Sequence, residues 1–131
     1  MPLVKVCSVS AVIGSIITFA FGGWPESLTV LVIAMGIDYI SGVLASIKEG
    51  RGLNSLFGVW GLAKKGLMLL VILLAHRIDI LLDLHNATMG AATYFYLANE
   101  LISVTENYGR MGLPMPDYIR KLIEVLKEKK S

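Results

Sequence analysis

Six polar side chains stand inside otherwise apolar stretches of this chain: Asp38, His76, Arg77, Asp79, Asn99 and Glu100. In a bilayer, a charge near the centre costs roughly 3 kcal/mol or more, so such groups pair with one another, face water or lose their charge. Two arrangements follow. Arg77 can pair with Asp38 or Glu100 as a buried structural layer, or the same groups can line a water-filled lumen shared between protomers. One state can convert into the other. His76 and Asp79, three residues apart, share a helix face, which admits a proton relay as well as a hydrogen-bonded histidine. Catalysis has no comparable support. Cys7 is far in sequence from His76 and His85, no cysteine and histidine spacing fits a metal site, and no glycine-rich loop follows a strand. The residues therefore point away from an enzyme, and no cofactor is implied.

The stretches that carry these groups set the fold. The chain of 131 residues is 55% hydrophobic and 17% charged, against roughly 45–50% and about 25% in soluble domains. A soluble chain this small would have to expose much of that apolar surface. Four segments approach the roughly 20 apolar residues that cross a hydrocarbon core: Leu3–Phe21, Leu28–Ile47, Gly66–Leu84 and Ala87–Val104. The first ends at Gly22, Gly23, Trp24 and Pro25, which read as a turn with an interfacial aromatic. These residues do not resemble a signal-peptide cleavage site, so the run is read as a retained helix. The segment Leu53–Ala63 is too short to cross, and with Trp60 it reads as a short helix or loop on the bilayer surface. After Pro114 and Pro116, Asp117 can cap a last helix with Ile119, Leu122, Ile123 and Leu126 on one stripe. The expected fold is all-α: an integral membrane domain of about four transmembrane helices over residues 1–109, then a short amphipathic cytoplasmic tail over 110–131.

Charge sets the topology, because Lys and Arg concentrate in cytoplasmic segments. Lys5 precedes the first span; Lys48, Arg51, Lys64 and Lys65 lie between the second and third; and Arg110, Arg120, Lys121, Lys127, Lys129 and Lys130 follow the fourth. The other two connections carry no Lys or Arg, and only Arg77 departs from the pattern. Four spans with both termini in the cytoplasm place every other basic residue inside. A net charge of +2 gives no reason to expect nucleic acid. Small residues recur at spacing four, as Ser10, Gly14, Thr18 and Gly22 in the first span and as Ala34, Gly42 and Ser46 beside Asp38 in the second. Such faces let helices approach closely in lipid, within one protomer or between copies.

Three blocks carry a family resemblance. They are Asp38-Tyr39-Ile40-Ser41-Gly42-Val43-Leu44, continuing through Lys48 and Gly50 to Asn54-Ser55; Gly61-Leu62-Ala63-Lys64-Lys65; and Asn99 through Asn107, followed by Gly112-Leu113-Pro114-Met115-Pro116. In this order the chain resembles the phage-lysis and toxin-secretion holins over roughly residues 30–128. The first span matches least well. The resemblance implies a protein of the bacterial cytoplasmic membrane that associates with itself and opens timed lesions. An endolysin or a secreted toxin would be its functional partner, and it would need no cofactor. Asp38, Lys64, Lys65, Glu100, Glu106 and Asn107 fall on matching positions. Rival readings are a small ion channel or transporter, an antiholin that restrains a partner, and a scaffold that recruits a soluble protein through the last helix.

Overall fold

A computed structural model describes residues 2–51 and 55–130, without the side chains of Ser55, Phe57, Lys127, Lys129 and Lys130. Five helices follow one another: α1 (Pro2–Phe21), α2 (Glu26–Lys48), α3 (Ser55–Leu82), α4 (Ala87–Arg110) and α5 (Asp117–Lys130). α4 is the centre, touching α2, α3 and α5. It runs parallel to α2 and antiparallel to α3. One end of the bundle therefore holds the α1–α2 and α3–α4 turns. The other holds the α2–α3 connection, the carboxyl end of α4 and α5.

α1 and α2 are long and apolar enough to cross a membrane. α3 is longer still, with 28 residues, but carries Lys64, Lys65, Arg77 and Asp79. α4 is the most polar of the first four helices. Its buried residues, Met89, Thr93, Leu97, Ala98, Glu100, Val104 and Asn107, lie along one side of the helix, so Thr93, Glu100 and Asn107 face neighbouring helices. The core gathers Leu28, Leu31, Ala34 and Met35 from α2, Ile72 and Ala75 from α3, and Met89 and Leu97 from α4.

One boundary departs from the sequence reading. The expected surface segment is no separate element, because Ser55–Ala63 forms the first turns of α3; Leu53 and Asn54 lie outside the described residues. Gly58 and Gly61 are tolerated inside the helix at about 1 kcal/mol each, and no proline interrupts the run.

The ends of the helices show why the chain turns where it does. Gly22 has φ +72° and its amide donates to the Thr18 carbonyl at 2.7 Å, a left-handed cap that glycine takes without penalty. Gly50, at φ +78°, closes α2 in the same way. The α3–α4 turn uses Asp83, His85 and Asn86 at positive φ, residue types enriched in that region. Asp117 is the first residue of α5, where its charge suits the helix dipole.

α1 is the outlier. Among the described elements it packs only on α3. Leu3, Val6, Val9, Val12, Ile13, Ile16 and Phe19 are each more than half exposed. At about 1.5–3 kcal/mol per fully buried side chain, leaving seven half-covered in water forgoes roughly 5–10 kcal/mol. That is comparable to the whole stability of a typical fold. This surface requires lipid or protein against it.

Candidate functional site

Asp38, Lys65 and Glu100 each lie ten residues from the same end of the bundle (38 to 48, 55 to 65, 100 to 110). At about 1.5 Å per residue they share one level about 15 Å in, half the thickness of a hydrocarbon core. There the Lys65 ammonium donates to Asp38 Oδ2 and to Glu100 Oε2, both at 2.7 Å. The side chains are 15%, 14% and 4% exposed for Lys65, Asp38 and Glu100. Two carboxylates share one cation, so the triad carries a net charge of −1 when all three are ionised.

Asn107 joins the triad to the bundle end. Its Nδ2 lies 3.0 Å from the Asp38 carbonyl, from Asp38 Oδ1 and from Ser41 Oγ. Its Oδ1 accepts from Arg110 Nη1 at 3.1 Å. Arg110 donates to Glu49 Oε1 at 2.6 Å, and this guanidinium holds the Glu49 carboxyl below its ordinary range. Lys48 donates to the Met111 carbonyl. Polar contacts thus run from the triad to the end of α2 and α4. Beside them opens a cleft of about 680 Å³ between α2, α3 and α4, bordered by Gly42, Ser46, Gly58, Gly61, Asn99 and Ser103 as well as the charged groups.

The expected pairing of Arg77 with Asp38 or Glu100 does not occur. Arg77 stands twelve residues beyond Lys65, about 18 Å along α3, out of reach of either carboxylate. Its guanidinium lies 4.3 Å from the Phe19 ring centroid and donates to the Phe19 carbonyl at 3.4 Å. It serves a carbonyl left without an intrahelical partner at the end of α1, where a cation also complements the dipole. Asp79 does the opposite for α4. Its two oxygens accept from the amides of Thr88 (2.9 Å) and Met89 (2.8 Å), in the first turn of a helix whose N-cap Asn86 makes no side-chain cap bond. His76 is buried against Gly22, and its Nδ1 has no partner among the described residues.

The sequence groups Lys65 with the cytoplasmic basic residues Lys48, Arg51 and Lys64, but its side chain lies in the triad. Lys127, Lys129 and Lys130 belong to α5 with side chains outside the described set. The two small-residue stripes also separate. Ala34 is buried in the core, and a Cβ on Gly42 would stand 3.4 Å from Asn107 Nδ2, so the α2 stripe is packed inside the protomer. Ser10, Gly14 and Thr18 are exposed, and only Gly22 meets α3.

The sequence reading puts Asp38 and Glu100 in one polar layer and names Lys65 and Asn107 at family-matching positions, but it does not connect these two to that layer. Asn107 was readable, since Glu100, Ser103, Val104 and Asn107 share one helical face. Lys65 was hidden by its position next to Lys64, where it read as a flank.

Residues 15–128 match the Bacteriophage holin family. An uncharacterised protein of Listeria monocytogenes is 44% identical over 116 residues, covering 88% of this chain and 82% of its own length. An uncharacterised 14.9 kDa protein of Clostridium perfringens is 38% identical over 121 residues, covering 90% and 89%. A protein of Bacillus phage phi105 named Probable holin is 33% identical over 106 residues, covering 79% and 76%. No solved structure matches this chain. The family is non-enzymatic and implies association with a membrane, in keeping with α1 and α2, two helices long and apolar enough to span one. The chain belongs to the bacteriophage holin family.

Proposed function

We propose that this protein is a holin that crosses the cytoplasmic membrane four times with both termini inside, and that its copies assemble into lesions large enough to release an endolysin or toxin. Residues 1–109 form the membrane domain, and 110–131 form a cytoplasmic tail whose basic residues meet anionic lipid. The observation that carries this reading is the Asp38–Lys65–Glu100 triad, three charges at mid-depth in a chain of the holin family. In the resting protomer Lys65 bridges the two carboxylates and Asn107 donates to Asp38, which keeps the polar layer away from lipid. On assembly, the layer that α2, α3 and α4 close within one protomer opens into a shared lumen. Hydration there offsets the desolvation of two carboxylates and an ammonium. The exposed stripe of α1, Ser10, Gly14 and Thr18, supplies a close-packing face between copies. Asn99 joins the triad in lining the lumen, while His76, Arg77 and Asp79 hold the helix ends at the outer side.

Purified protein in liposomes loaded with both a small ion-sensitive dye and a fluorescent protein tests the proposal. Abrupt release of the protein cargo above a threshold density is expected. Ion flux with full retention of the cargo would replace the lesion with a channel. No flux of either would favour a restraining, antiholin role.

A further inference from the structure

The cleft beside the triad has more positive charge at its mouth than the fold itself uses. Four cationic residues border it: Arg51, Lys64, Lys65 and Arg110. Lys65 is spent on Asp38 and Glu100, and Arg110 on Glu49 and Asn107. Arg51 reaches only 3.9 Å from a Glu49 already bonded to Arg110, and its side chain is 73% exposed. Lys64 holds its ammonium 6.0 Å from the Trp60 ring centroid, one turn back toward the amino end of α3. A lysine rooted near mid-depth whose stem runs toward the bundle end, beside an exposed tryptophan, is the posture of a basic side chain reaching for the headgroups. Counting Asp38, Glu100 and Glu49 against the four cations leaves a net charge of +1 at the cleft. The surface on either side is apolar, with Ile40, Leu44 and Ile47 of α2 and Val59 and Leu62 of α3 all exposed.

A cationic mouth at headgroup level between two apolar walls suits one amphiphile. We propose that the cleft mouth binds an anionic phospholipid, its phosphodiester held by Arg51 and Lys64 and its acyl chains lying along α2 and α3. The proposal rests on the membrane orientation given above. Basic pockets between membrane helices on the cytoplasmic side bind anionic headgroups in this manner. The lipid would sit against the helices that enclose the triad, so the protomer carries its own sensor of the surrounding leaflet.

The test is Trp60 fluorescence of the full chain in bilayers, with Trp24→Phe leaving one tryptophan. Phosphatidylglycerol and phosphatidylcholine, each brominated near the glycerol end of the acyl chains, act as quenchers. Quenching by phosphatidylcholine reports that Trp60 lies in the bilayer. Preference for phosphatidylglycerol reports the site. The expected preference is roughly 25-fold, falling roughly fivefold for each of Arg51→Gln and Lys64→Gln and unchanged in Lys5→Gln, which lies at the exposed start of α1. Quenching by both lipids without preference overturns the site while leaving the membrane orientation intact. An equal loss in Lys5→Gln, or a preference that survives both cleft changes together, also overturns it. Abolition of the preference by millimolar inorganic phosphate would assign the cleft to a free anion instead. Absence of quenching by either lipid would sink the orientation itself.

Discussion

Replacing Lys65 with methionine tests the triad directly. The substitution keeps the volume of the side chain and removes its charge, leaving two carboxylates facing each other with neutral groups such as the Asn107 amide beside Asp38. Removing one partner from a buried ion pair costs about 3–5 kcal/mol, because the remaining charge is uncompensated. Lys65, Asp38 and Glu100 are all at least 85% covered, so solvent screening reduces this little. The lower end is the better expectation, since polar contacts in membrane proteins measure weaker than in water-soluble ones. About 3 kcal/mol is a shift of more than a hundredfold in the folding equilibrium. Unfolding in mixed micelles by increasing sodium dodecyl sulfate, followed by circular dichroism, reads that shift. The cycle is completed with Asp38→Asn and Glu100→Gln. In the triple variant no charge remains, and most of the lost stability should return. If Lys65→Met is no less stable than Lys121→Met, a change on an exposed lysine, or if the triple variant recovers nothing, the triad does not hold the bundle.

Asp38→Asn and Glu100→Gln, each made singly, should shift the onset of lysis by removing a charge whose hydration favours the open lumen; unchanged onset in both would separate the triad from gating. Asp79→Ala removes acceptors for the amides of Thr88 and Met89, so hydrogen exchange should accelerate in the first turn of α4 and not at its carboxyl end. Gly22→Val should detach α1 from α3: a Cβ there would stand 2.6 Å from His76 Cε1, and the left-handed backbone adds about 1–2 kcal/mol of strain. Loss of a cysteine crosslink between α1 and α3 near that turn would report it. The Glu49–Arg110 contact carries a pH dependence. The folded carboxyl is held below its reference value of 4.5, so its stabilisation is full above that value and is lost as pH falls through the lowered one. The difference in stability between wild type and Glu49→Gln should therefore be constant at neutral pH and shrink in acid. A difference that grows in acid would contradict the contact.

Much of this architecture is legible in the order of residues. The Gly22–Pro25 turn, the Lys48–Gly50 stretch and the Pro114–Pro116 break mark helix ends by chemistry that acts locally. α3 was cut short because hydropathy falls at Lys64 and Lys65, whereas a helix continues through charges when its neighbours receive them. Hydropathy also marks Arg77 and Asp79 as buried charges without saying what they meet. Both meet the ends of other helices, and backbone groups have no signature in a sequence. The stripe of Ala34, Gly42 and Ser46 and that of Ser10, Gly14 and Thr18 look alike as spacings. Only the packing of α2 on α4, against the isolation of α1, tells them apart.

The central claim is that this chain opens the cytoplasmic membrane widely enough for an enzyme to pass. Inducible expression in bacteria, with and without a cytoplasmic endolysin that lacks an export signal, tests it most directly when culture density and membrane potential are followed together. The account predicts abrupt depolarisation after a delay, with lysis only when the endolysin is present. Depolarisation with no lysis in either culture would contradict it.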